Sequence, residues 1–137
     1  GVMKVEGGCY CGELRYEAEG DALFKAQCHC RECQYISGGS PNVTMGMPEG
    51  TFKYTKGTPK SFKRTDIDPS VTREFCGNCG TSMLSRAPGA PGLVLLKVGS
   101  MDDPKQFEGP QVAIYTCDAQ DFHMIPEGVA SFDKLPG

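Results

Sequence analysis

Eight cysteines fall into four groups: Cys9-x-Cys11, Cys28-x-Cys30-x2-Cys33, Cys76-x2-Cys79 and a lone Cys117. Thiols two or three positions apart can reach one ion from a single turn or strand face, and tetrahedral zinc takes such pairs. The competing use of an even count is a disulfide framework. Bridges between such close neighbours would close short, strained loops that gain little. A chain of 137 residues is also long enough to bury a core without staples. The spacing points to metal.

"CGNCG" (76–80) has the form of a zinc knuckle, its glycines allowing a tight turn and its amides free to donate to sulfur. Cys9 and Cys11, read as part of a strand, share one face and can both reach one ion. Two such pairs make a closed four-thiolate site, the structural kind. Spacing alone leaves open whether Cys76 and Cys79 join Cys9 and Cys11 or the central group. The count leaves a set of three in either case. In "CHCRECQ" (28–34), Cys28 and Cys30 share a strand face and Cys33 follows within about one helical turn. His29 should point to the opposite face, as a packed or solvent-facing histidine rather than a ligand. Cys117 and His123 are the remaining candidates to close the set. If neither does, the ion has three protein ligands and an open position, the arrangement of a catalytic zinc.

The elements that must position these residues read as mainly β. "ELRYEAEG" (13–20) alternates, with Leu14, Tyr16 and Ala18 on one face, and "FKAQCHC" (24–30) aligns Phe24, Ala26, Cys28 and Cys30. "SPNVTMGMP", "TFKYTKG", "KSFKRT", "VTREFC", "TSMLS" and "GLVLLKVG" are further short strands between Gly, Pro and Asp turns. They suggest a sandwich or small barrel-like arrangement. "CRECQYIS" (30–37) has about two turns of helical pattern, stopped by Gly38–Gly39. "EGVASFDKLPG" reads as loop. With no linker or repeat beyond the knuckles, residues 1–137 read as one domain.

Several other features take plain readings. "SGGSP" (37–41) lacks the lysine of a phosphate loop and reads as a helix-ending turn. Lys53, Lys56, Lys60, Lys63 and Arg64 form a basic stretch expected on a solvated sheet face. Arg73 is expected in an ion pair supporting the knuckle, "MDDP" (101–104) as a turn without a metal role, and Cys117 as a free, partly buried thiol. A net charge of −3 shows no nucleic-acid footprint. No apolar run approaches the roughly 18 residues of a membrane span. "GVMKVEGG" lacks the apolar segment of a secretory signal. The expectation is a cytoplasmic protein of unknown oligomeric state.

"GGCYCGELRY", "CHCRECQYISGG", "VTREFCGNCGT" and "VGSMDDP", in that order, resemble the motifs of the glutathione-dependent formaldehyde-activating enzyme family, with a weaker echo in "QVAIYTCDAQDF" and "SFDKLP". The resemblance implies an Mss4-like, compact multi-sheet β fold with one short helix after the CxCxxC motif. It assigns Cys9, Cys11, Cys76 and Cys79 to a structural zinc, and Cys28, Cys30 and Cys33 to a second, catalytic zinc. It implies a zinc-dependent carbon–sulfur lyase, or synthase, handling a thiol adduct of a small aldehyde, as in joining glutathione to formaldehyde to give S-hydroxymethylglutathione. The partner it implies is a small thiol such as glutathione. Two other classes stand beside it: a non-enzymatic zinc-stabilised binding module, which would need only the closed site, and a thiol redox or metal-responsive protein.

Overall fold

Period-two alternation of apolar and polar residues produces the strands. Within β2 (Arg15–Gly20), Tyr16 and Ala18 are buried while Glu17 and Glu19 turn outward. The computed structural model describes residues 3–136. β1 (Met3–Gly8) pairs with β2, and β5 (Lys53–Lys56) adds to the far edge of β2, making a three-stranded antiparallel sheet. The remaining strands are β3 (Phe24–Cys28), β4 (Asn42–Pro48), β6 (Lys60–Lys63), β7 (Thr72–Phe75), β8 (Ser82–Arg86), β9 (Leu93–Lys97), β10 (Val112–Ile114) and β11 (Ala130–Ser131). They form a second sheet in the order β11-β10-β3-β4-β9-β8-β7-β6. Its pairs are antiparallel, except that β10 runs parallel to both β3 and β11. The fold is mainly β, with two sheets and one short α-helix, as expected.

Register decides what each face of the large sheet carries. Met45 lies opposite Leu96, Met47 opposite Val94, and Leu96 opposite Leu84, so these side chains share one face. There they meet Val5, Leu14 and Tyr16 from the small sheet in the main apolar core. Burying each such large side chain contributes about 1.5–3 kcal/mol. The other face carries Cys28 opposite Asn42, Ala26 and Lys97 opposite Thr44, and Arg73 opposite Ser85. α1 (Arg31–Ser37) packs over this second face, against β4. Ala26, Cys28, Cys33 and Ile114 form a smaller apolar cluster around it.

α1 is set by its ends. The Cys30 sulfur caps the first turn by accepting from the Cys33 amide at 3.3 Å. Gly38, at φ 80, closes the last turn, a left-handed conformation that glycine adopts without strain. The expected helix and its Gly-Gly stop are therefore present. Three strands escaped the sequence reading. β10 and β11 have three and two residues, too few to show alternation, and β11 lies in the segment expected as loop. β1 alternates, but over only six residues that end in two glycines.

Candidate metal centre

Two loops from distant parts of the chain meet at the first cysteine cluster. β1 ends at Gly8, so Cys9 and Cys11 lie in a turn and not in the strand expected for them. Gly12, at φ 84, makes that turn by donating its N–H to the Cys9 carbonyl at 3.1 Å. The Leu14 amide donates to the Cys9 sulfur at 3.2 Å. "CGNCG" repeats the device: Gly80, at φ 80, donates to the Cys76 carbonyl, and the amides of Asn78 and Cys79 donate to the Cys76 sulfur at 3.4 Å. Thr81 ties the loops together, accepting from the Tyr10 amide at 3.1 Å and meeting the Cys79 sulfur at 3.1 Å. That hydroxyl bond, with further amide donation, lowers the Cys79 pKa to about 6.

The sulfurs of Cys9, Cys11, Cys76 and Cys79 lie within 4.8 Å of one another. Cys9 and Cys11 are 3.5 Å apart, and Cys11 and Cys76 are 3.8 Å apart. Four sulfurs placed about 2.3 Å from one zinc would sit about 3.8 Å apart, whereas a disulfide needs about 2.05 Å. The donor set, its spacing and its amide hydrogen bonds all fit a metal-held thiolate site. Of the combinations that spacing left open, the structure brings Cys76 and Cys79 together with Cys9 and Cys11.

The second cluster gathers Cys28 at the end of β3, Cys30 at the helix cap and Cys33 in the first turn of α1. Their sulfurs also lie within 4.8 Å of one another, and no fourth His, Cys, Asp or Glu joins them among the described residues. Hydrogen bonds from Cys28 and Cys30 hold the Cys33 thiol down to about 3, with the Lys97 charge and the Asn42 amide acting in the same direction. Cys28 is pushed up, because its proton bonds Cys30 and Cys33 and because it is buried. Asn42, opposite Cys28 in the ladder, donates its side-chain amide to the Cys33 sulfur at 3.6 Å. Seven cysteines thus fall into a group of four and a group of three, and both groups can hold metal ions.

The candidates to close the second cluster are occupied elsewhere. His29 is fully buried and packed, as expected of a non-ligand. The Gly39 carbonyl can only accept, so His123 donates to it from Nε2 at 2.7 Å. His123 Nδ1 then accepts from His29 Nδ1 at 3.0 Å, and His29 Nε2 accepts from the Gln27 amide at 3.0 Å. Burial holds the His29 pKa below its ordinary value. Cys117 is exposed, not partly buried as expected, because the 3-10 turn Thr116–Asp118 turns it outward.

Other residues around the cluster gave little sign in sequence. Gln34, in α1, donates to the carbonyls of His29 and Asp118 at 2.8 and 3.0 Å, and accepts from Gln120 and Arg31. Lys97 is 7% exposed on the same face as Asn42, and burial lowers its pKa to about 8. Its only signal was a single charge within the apolar run "LVLLKVG". Arg73 pairs with Glu32 of α1 at 3.7 Å, not with the knuckle, because the helix presents Glu32 over β7. Asp102 pairs with Arg15, and Asp103 caps the next 3-10 turn, which accounts for "MDDP" without a metal. The four lysines of the basic stretch are exposed, as expected. A groove of about 350 Å³ runs between Tyr35 and Ile36 of α1 and Phe62, Arg73 and Phe75 of the sheet.

Comparison with known proteins bears on family and fold. The family model described as "Glutathione-dependent formaldehyde-activating enzyme" matches residues 4–118. The chain belongs to this family. A solved protein from Rhodobacter sphaeroides is similar in fold, with a TM-score of 0.61 at 16% identity, over 79% of this chain and 97% of that one. Family membership brings an enzyme class named for glutathione and formaldehyde, and both cysteine clusters lie inside the matched span. Among the described residues no helix is long and apolar enough to cross a membrane.

Proposed function

We propose that the protein is a zinc-dependent carbon–sulfur lyase, acting as a synthase in the opposite sense, on the thiol adduct of a small aldehyde. Glutathione and formaldehyde are the pair that the family name supplies. The observation that carries the reading is a cluster of three convergent sulfurs that no fourth ligand group joins among the described residues, beside a separate cluster of four. Cys9, Cys11, Cys76 and Cys79 would hold a structural zinc that joins the two loops. Cys28, Cys30 and Cys33 would hold the second. When bound there, zinc supplies mild Lewis acidity and favours a thiolate over a neutral thiol.

The chain's own groups prepare that site. The Cys33 amide and the Asn42 side chain each donate to a cluster sulfur, fixing its orientation and favouring its thiolate form. Gln34 and the histidine pair keep the segment 118–124 against α1, on the cluster's flank. Proximity supplies much of the rate gain once both reactants are held. In the synthase direction the thiol gives up its proton and its sulfur bonds the carbonyl carbon. The carbonyl oxygen takes a proton, so S–H has added across C=O; the lyase direction reverses each change. Free cysteines suit a reducing compartment, and we assign the protein to the cytoplasm.

The test is zinc per chain by elemental analysis, with adduct formation followed by NMR exchange, on wild type and on Cys28→Ser. The reading requires two zincs in wild type and one in the folded variant, with catalysed exchange lost. One zinc in both proteins would remove the second site and leave a zinc-stabilised binding module.

A further inference from the structure

We propose that the Lys97 ammonium is the built-in counter-charge of the three-cysteine cluster and is what allows that cluster to take a further thiolate. The inference rests on the reading that Cys28, Cys30 and Cys33 hold a zinc. Lys97 ends β9, where its neighbours Val94 and Leu96 face the main core. Its ladder partner is Thr44, two residues from the Asn42 that bonds the Cys33 sulfur and faces Cys28. The ammonium therefore lies on the face of the large sheet that α1 and the cluster cover. It is 7% exposed, and the groups that favour its charged form are the Cys33 sulfur first, then those of Cys28 and Cys30. The other charge that reaches it, the Arg73 guanidinium, is of its own sign.

A buried ammonium is costly unless an anion compensates it. No carboxylate pairs with Lys97 among the described residues, and the cluster sulfurs are the groups that favour its charged form. The compensation acts in both directions. Three thiolates around a divalent ion carry a net charge of −1, and a thiolate in the remaining position would raise it to −2. In a low-dielectric site that second negative charge is opposed unless a cation stands nearby. Lys97 is that cation, held by the sheet rather than by the substrate. It touches neither thiol nor aldehyde in this account and acts through the cluster's charge, so it is a positioning residue.

The experiment loads wild type, Lys97→Met and Lys97→Arg with cobalt(II) and titrates each with glutathione. The sulfur-to-cobalt absorption bands report ligation directly, independently of turnover. A second titration uses 2-mercaptoethanol, which has no carboxylate. With both thiols, Lys97→Met is expected to need at least about tenfold more ligand for half-saturation, and Lys97→Arg to stay within about threefold of wild type. Equal titration of Lys97→Met and wild type would overturn the inference while leaving the two-metal reading intact. A loss confined to glutathione would make Lys97 a carboxylate dock, and would also overturn it. Wild type that takes up one cobalt per chain would defeat the underlying reading and this inference with it. Should Lys97→Met not fold, Lys97→Gln, with a neutral hydrogen-bonding head, makes the same comparison.

Discussion

Replacing Gln34 by methionine tests whether one buried amide holds the C-terminal segment against the cluster. The two side chains have similar length and volume, so packing is nearly conserved and the polar loss is isolated. Gln34 is 3% exposed and uses its whole amide: two bonds donated, to His29 and Asp118 carbonyls, and two accepted, from Gln120 and Arg31. Methionine leaves both carbonyls without that donor. Each buried polar group orphaned in this way costs about 1–3 kcal/mol, so the variant should lose about 2–5 kcal/mol. Three of the four partners lie in α1 or in the segment 118–120, so the loss should be local before it is global. Urea unfolding gives the total, and amide hydrogen exchange over residues 116–124 gives the location. A loss below about 1 kcal/mol, with exchange unchanged in that segment, would refute the account of Gln34 as its clamp.

Three further outcomes follow from the geometry. Gly7→Ala would set a Cβ 2.4 Å from both the Ser100 carbonyl oxygen and the Tyr16 hydroxyl, so it should cost about 1–3 kcal/mol by thermal melting, while Gly50→Ala, which meets nothing, should stay near wild type. Thr81→Val removes the hydroxyl shared by the Tyr10 amide and the Cys79 sulfur; zinc should pass from the four-cysteine site to a chelator about 10-fold faster, measured with a colorimetric zinc indicator. The Arg15 guanidinium holds the Asp102 carboxyl below its ordinary value of 3.8, so the pair's stabilisation is complete above that pH and disappears as pH falls through the lower folded value. Both side chains are partly solvated, so the contribution is under about 1 kcal/mol, and the stability curves of wild type and Asp102→Asn should converge in acid.

The sequence by itself determined what depends on near neighbours. Ligand groups set two or three apart, a cysteine at a helix start, a Gly-Gly stop and short alternating strands all act within one turn or one strand, and each was readable. His29 is packed, as expected, but not through strand alternation: β3 ends at Cys28, and bonds to Gln27 and His123 hold the ring instead. Even there the local mechanism could differ from the one inferred: Cys9 and Cys11 converge through a glycine-closed turn rather than a strand face. Tertiary structure alone decided which distant groups meet. It brought the loop at Cys9 to the loop at Cys76, laid His123 against His29, and set Asn42 and Lys97 beneath the cluster. Sheet order and strand register choose such partners, and they are settled by burying the apolar faces of whole strands. A polar residue that the register carries to the site, such as Lys97 in "LVLLKVG", therefore shows in sequence only as one charge in an apolar run.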